Sequence, residues 1–192
     1  LKNIADYWFT QGVNRLVFHT SAHQPLDTKP GNTMVGTHLH RNITWAENAK
    51  PLNTYFARNS FMLQQGKYVA DIAYLLNEGA PSTMPFWSAP QFPKGYQFDY
   101  INADILLHSL TVNAQGKLAL PNGITYSVLV LPPTDEMSLP MLQKIKELVT
   151  AGAIVVGPKP EKSPGLAGYP GSDAALKALA LDLWADLDGI SR

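Results

Sequence analysis

The run VADIAYLL at positions 69–76 carries apolar residues on both of its alternating sides, with Asp71 as its one charge. A strand apolar on both sides is one covered on both faces, as in the interior of a parallel sheet. Two later runs share this character, YSVLVLPP at 126–133 and AIVVGP at 153–158, and KLALP at 117–121 is a shorter strand-like stretch. Helical patterns lie between them. One covers about 102–110, and a second, 138–151, places Leu142, Ile145, Leu148 and Val149 on one stripe, with Gly152 as its stop. A third, about 172–186, opens on Ser172 and Asp173 as cap candidates and offers Leu176, Leu179, Leu183 and Trp184 to a core. Strands of this kind alternating with amphipathic helices predict a doubly wound, mainly parallel α/β domain over residues 67–192, with helices on both faces of its sheet.

Upstream of this domain the pattern is different. Residues 1–11 have helical spacing and end at Gly12, Arg15–His19 reads as a short strand, and 45–65 returns to helix with Gly66 behind it. Between strand and helix, residues 20–44 hold Pro25, Pro30, Gly31 and Gly36 and show no period, and loops of that length in compact domains are often functional. Helix, strand, long loop and helix are too little to bury a core of their own. Residues 1–66 therefore read as the last turn of a larger α/β unit, and the start at Leu1, inside a helical pattern, reads as a cut from something longer.

The composition narrows the function. Fifteen basic and fifteen acidic residues cancel, which gives no support to a nucleic-acid or anionic-membrane partner. No apolar stretch approaches the ~20 residues that span a bilayer. The absence of cysteine removes disulfides, cysteine–zinc sites and a cysteine nucleophile. No GxGxxG or GxxxxGK[ST] motif occurs, and Gly165, Gly168 and Gly171, interleaved with Pro164 and Pro170, read as an ordinary connecting loop.

Four of the five histidines, His19, His23, His38 and His40, fall between positions 19 and 40. His19 stands at the C-terminal end of the expected strand, the end at which α/β barrels gather their binding residues. Any one of these histidines serves equally well in packing; four together in a long loop point to a ligand site. Neutral imidazoles beside an amide such as Gln24 suit hydroxyl-rich ligands, because they both donate and accept. Trp45 offers a face on which a sugar can stack. A metal reading also exists, because His19-xxx-His23 and His38-x-His40 have spacings found in zinc sites and Glu47 adds an oxygen ligand, but no HExxH motif accompanies them. Acidic residues are scarce in this third of the chain. Asp6 lies early in a helix, which leaves Asp27 and Glu47, whereas a two-carboxylate hydrolase needs an acid and a base or nucleophile. Tyr96, Asp99, Tyr100 and Asp104 are candidates for the border of a cleft in the α/β domain, with Asp104 reading equally as a solvated first-turn residue.

The stretches GVNRLVFHTSAHQP (12–25), RNITWAENAKPLNTYFARNSFMLQQGKYVADIAYL (41–75), LPNGITYSVLVLPP (120–133) and LVTAGAIVVGPKP (148–160) resemble the glycoside hydrolase family 106 α-L-rhamnosidases, in order and through nearly the whole chain. The resemblance implies the end of a (β/α)8 barrel, with residues 1–66 as its last strand, active-site loop and closing helix. Residues 67–192 would be a following class I glutamine-amidotransferase-like α/β accessory domain. It further implies a parent enzyme that removes terminal α-L-rhamnose from a saccharide by inverting, calcium-assisted hydrolysis, outside the cell or in the periplasm. The chain itself, lacking most of the barrel and the general acid, is expected to be inactive, with no certain calcium ligand of its own. Glu47 is the expected remaining carboxylate, as base or as neighbour of the calcium site. His19, His23, Gln24, Arg41 and Trp45 are the expected sugar contacts. The remainder of the barrel would be the partner of residues 1–66, and without it the exposed barrel edges favour self-association. A non-catalytic structural or interaction module, and a small metal-dependent hydrolase, are the competing readings.

Overall fold

The computed structural model describes residues 1–19, 43–80, 82, 89–185 and 187. They form two compact units, Leu1–Lys67 and Tyr68–Arg192.

In the first unit, helix α1 (Lys2–Thr10) runs to Gly12, whose φ of +93° lets the chain turn where a side chain would be strained. Helix α2 covers Lys50–Leu63. It starts later than the expected 45 because Pro51 occupies its first turn, where a missing N–H costs nothing, and Ala46–Asn48 before it form a single 3-10 turn. Tyr55 and Phe56 of α2 join it to α1. The Tyr55 hydroxyl donates to Asp6 at 2.6 Å, and Phe56 receives Phe9 and Phe18 at ring separations of 6.5 and 5.9 Å. Residues 13–18 enter no sheet among the described residues, and Val17 is 87% exposed. Among the described residues of this unit Ala5 and Phe56 are the buried apolar ones, while Ile4, Tyr7, Phe61, Met62 and Leu63 face outward.

The Asp6 carboxyl lies below its ordinary value because Lys2 and then Tyr55 hydrogen-bond its charged form. A depressed carboxyl contributes stability above the ordinary range near ~4 and loses it as pH falls through the lowered value. The Tyr55→Phe variant is expected to move the Asp6 titration upward, read by NMR across pH 2–6; an unchanged midpoint would mean that the hydroxyl contributes nothing to the clasp.

The second unit is mixed α/β with a mainly parallel sheet. Strands β1 (Ile72–Leu75), β2 (Phe98–Ile101), β6 (Val128–Val130) and β7 (Ile154–Val156) lie in the order β2-β1-β6-β7, every pair parallel. Strands β3 (Thr111–Val112), β4 (Leu118–Ala119) and β5 (Thr125–Tyr126) form a separate antiparallel sheet. The apolar run 126–133 is thus divided at Ser127, one part serving each sheet. Leu118 and Ala119 of KLALP form the middle strand of the small sheet, so the strand-like stretch is paired antiparallel on both sides. Leu118 and Tyr126 face each other across it and are both buried.

Helices α3 (Ala103–His108), α4 (Leu139–Thr150) and α5 (Gly171–Trp184) share one core with the sheet. It contains Ala73, Leu75, Ile101 and Leu129 from the strands, Leu106 from α3, Leu142, Ile145 and Leu148 from α4, and Leu176 and Ala180 from α5. Side chains alternate along a strand, so Tyr74, Phe98 and Tyr100 point to the opposite face. There they meet edge-to-face, and Phe92 joins them at 5.2 Å from Phe98. Helices were expected on both faces. Among the described residues of this unit, aromatic rings of β1, β2 and their connection occupy the second face instead.

Local signals account for the helix starts in part. Asn102 caps α3 by accepting from the Ile105 N–H at 3.0 Å. At α5 the expected Ser172–Asp173 cap does not form. Pro170 precedes the helix, Ser172 is buried, and Asp173 accepts from the Ser163 N–H at 2.9 Å. Strand β7 was expected to be buried, yet Ile154 and Val156 stand 49% and 55% exposed. Among the described residues it is an edge strand with one neighbour. Behind it, Gly157 passes so close to β6 that an added Cβ would lie 2.5 Å from the Leu131 Cβ. The Gly157→Ala variant should therefore destabilise the unit by ~1–3 kcal/mol in urea unfolding, the usual cost of overpacking; an unchanged midpoint would show that β6 and β7 can move apart freely.

Candidate functional site

Of the six expected site residues, His19, Trp45 and Glu47 lie within the described part of the first unit, while His23, Gln24 and Arg41 lie outside it, as do Asp27, His38 and His40. The two described groups flank residues 20–42. His19 ends the extended segment and is exposed. Trp45 and Glu47 belong to the short turn before α2, where Trp45 is half-buried and its carbonyl accepts from the Asn48 N–H at 3.0 Å. Glu47 is the acidic residue of this turn, and its carboxylate is exposed. His19 is distant in sequence from Trp45 and Glu47, which share one turn, and the three make no hydrogen bond to one another.

Glu47 is the carboxylate of this unit's described part that is open to a ligand, because Asp6 is committed to Lys2 and Tyr55. One exposed carboxylate can take a proton or hold a water, but two-carboxylate hydrolysis needs a second group at a defined separation. A side of α2 and the extended segment together border a groove of about 630 Å³, with Arg15, Asn53, Ser60 and Gln64 among its polar lining and Phe18 and Phe56 among its apolar lining. Sequence reading did not single out this groove. Its amphipathic walls follow from α2 burying one stripe, and Gln64 closes one end by donating to the Asn14 carbonyl at 2.8 Å.

In the second unit the candidate cleft residues have structural partners. Asp99 accepts from the Tyr126 hydroxyl at 2.9 Å, tying β2 to β5. Burial first, and Asp99 second, push that hydroxyl well above its ordinary value, so Tyr126 stays a neutral donor. Tyr100 packs edge-on against Tyr74 and Phe98, Tyr96 is exposed, and Asp104 pairs with His108 one helical turn away. A carboxylate that sequence reading passed over is Glu78, just beyond β1. It accepts from both the N–H and the hydroxyl of Ser138, at 2.7 and 2.8 Å, and so caps α4 from sixty residues away. Among the described residues no three His, Asp or Glu side chains converge as a metal site would require.

A protein-family model described as alpha-L-rhamnosidase matches residues 1–192. A protein of Formosa agariphila, provisionally named a beta-glucuronidase, is 41% identical over 187 residues, covering 96% of this chain and 16% of its own length. The structure of a rhamnosidase from Novosphingobium sp. PP1Y superposes with a TM-score of 0.77 at 35% identity, covering 97% of this chain and 18% of that one. The chain therefore spans less than a fifth of the length of these relatives.

Proposed function

Because the chain belongs to the alpha-L-rhamnosidase family of glycoside hydrolases, family 106, we propose that it is part of an enzyme that removes terminal α-L-rhamnose from saccharides by inverting hydrolysis. The observation that carries this reading is the match of the family along the whole chain, with a rhamnosidase as structural neighbour. Residues 1–66 are the last strand, active-site loop and closing helix of a (β/α)8 barrel, and 67–192 an amidotransferase-like accessory domain. The outward-facing Ile4, Tyr7, Val17, Phe61 and Met62 support a barrel origin, since they are the kind of surface that neighbouring barrel elements cover. The expected location is extracellular or periplasmic.

In an inverting reaction one carboxyl protonates the leaving oxygen while a carboxylate on the other side of the sugar takes a proton from the attacking water, the pair standing ~6.5–9.5 Å apart. Glu47 is the carboxylate we assign here, as the base, and the acid belongs to another part of the parent. His19, His23, Gln24 and Arg41 hydrogen-bond the sugar hydroxyls, and Trp45 stacks on its ring. The calcium expected for the parent finds no group of three converging His, Asp or Glu side chains among the described residues to hold it.

The test is cleavage of 4-nitrophenyl α-L-rhamnoside by this chain and by the parent, with and without calcium chelation. Activity in the parent alone supports the reading. Activity in neither, with the parent folded, favours the structural module. The name of the Formosa relative gives the second reading, a glucuronoside as substrate, and 4-nitrophenyl β-D-glucuronide in the same assay separates the two.

A further inference from the structure

Among the described residues, strand β7 is an edge of the parallel sheet. The Val156 carbonyl accepts from the Leu131 N–H at 2.8 Å, on the β6 side. In a parallel strand the backbone groups of successive residues point to alternate sides, so those of Val155 are turned to the open edge. Ile154 and Val156 beside them are half-exposed apolar residues on the face away from the helices. On the helix face, a cleft of about 400 Å³ opens between α4, α5 and β7, lined by Val149, Val155, Leu183, Trp184 and Leu187. Natural edges are normally protected by charge, proline or cover, and no charge or proline lies within Ala153–Gly157.

The course of α5 says what belongs there. Its first turn lies at the carboxyl ends of the strands, where Asp173 accepts from the Ser163 N–H and Lys162 pairs beside Glu136, just ahead of α4. Its end runs alongside the end of α4, where Lys146 binds Asp182 at 2.6 Å. Helix α5 thus runs parallel to α4 and antiparallel to the strands, as a crossover helix does. It delivers the chain to the start of β7, for Leu187 lines the cleft together with Gly152 and Ala153. Successive units already wind outward from β6 through α4 to β7, and parallel connections keep one hand. The relatives are five to six times longer than this chain by their coverage of 16% and 18%, which leaves polypeptide enough in them to occupy such an edge.

We propose that α5 is a crossover helix and that, in the parent, polypeptide beyond it forms a fifth parallel strand along β7, its apolar side chains filling the cleft between α4 and α5. This goes beyond the sugar-cleaving reading and does not depend on it.

Amide hydrogen exchange at Val155 tests the assignment, in this 192-residue chain and in the parent. The expected result is free exchange in the short chain and protection at least ~100-fold stronger in the parent, as for an interior ladder bond. In parallel, the Ile154→Lys, Val156→Lys double variant should leave the melting temperature of the short chain unchanged and lower that of the parent. Equal exchange in both proteins overturns the proposal. So does protection already present in the short chain; if dilution removes that protection, the edge is paired with a second copy instead.

Discussion

Replacing Glu47 with Gln in the parent enzyme is expected to lower kcat on 4-nitrophenyl α-L-rhamnoside by about 10²–10⁴-fold, the range lost with a positioned general base. The amide keeps the shape and the hydrogen-bonding capacity of the side chain but cannot accept the proton of the attacking water. Glu47 is exposed in a short turn, so the melting temperature should not move, and the effect would be one of chemistry alone. A loss confined to KM would instead make Glu47 a sugar contact. Unchanged kinetics would reduce it to a surface residue of the turn and leave the base to be sought elsewhere in the parent.

The second large effect belongs to the α/β unit. Leu129 is wholly buried in β6, flanked in register by Ala73 and Val155, and faces the helices of the shared core. Truncating it to Ala removes apolar contact and leaves a cavity between sheet and helices, at a cost of about 3–5 kcal/mol. That is a large part of the ~5–15 kcal/mol typical of a domain. Urea unfolding of the Leu129→Ala chain should show the loss as a lower midpoint at unchanged slope. A cost below about 1 kcal/mol would mean that the core collapses around the deletion.

What was legible in the sequence followed local chemistry. Gly12 closes α1, the stripe of Leu142, Ile145 and Leu148 is the buried face of α4, and Ala73 and Leu75 of the first apolar run lie at the centre of the sheet. The errors arose where distant neighbours decide. YSVLVLPP contains one apolar pattern, yet Tyr126 pairs antiparallel with Leu118 while Val128 pairs parallel with Ile72. AIVVGP has the composition of an interior strand and occupies an edge, since composition does not count neighbours. Asp173 has the right position for a cap but finds the Ser163 N–H nearer to hand. Glu78 was silent because its partner is Ser138, far along the chain. For the site, the clustering of histidines and the resemblance carried the reading. His19, Trp45 and Glu47 are placed at either side of the long segment, and His23, Gln24 and Arg41 lie outside the described residues.

The sheet order has a consequence during synthesis. Strand β1 needs both β2 and β6 as neighbours, and β6 emerges from the ribosome about fifty residues after it, a delay of several seconds at ~5–20 residues per second. Throughout that interval the nascent chain holds an apolar strand with one side unclaimed. The antiparallel sheet of β3, β4 and β5 is translated within it and closes by short hairpins, so it can form while β1 waits. Tyr126, at the last of these strands and bound to Asp99 of β2, then delivers β6 beside its place. A slowed ribosome between β2 and β6 would lengthen the vulnerable period, and chaperone capture of the nascent chain should be greatest there.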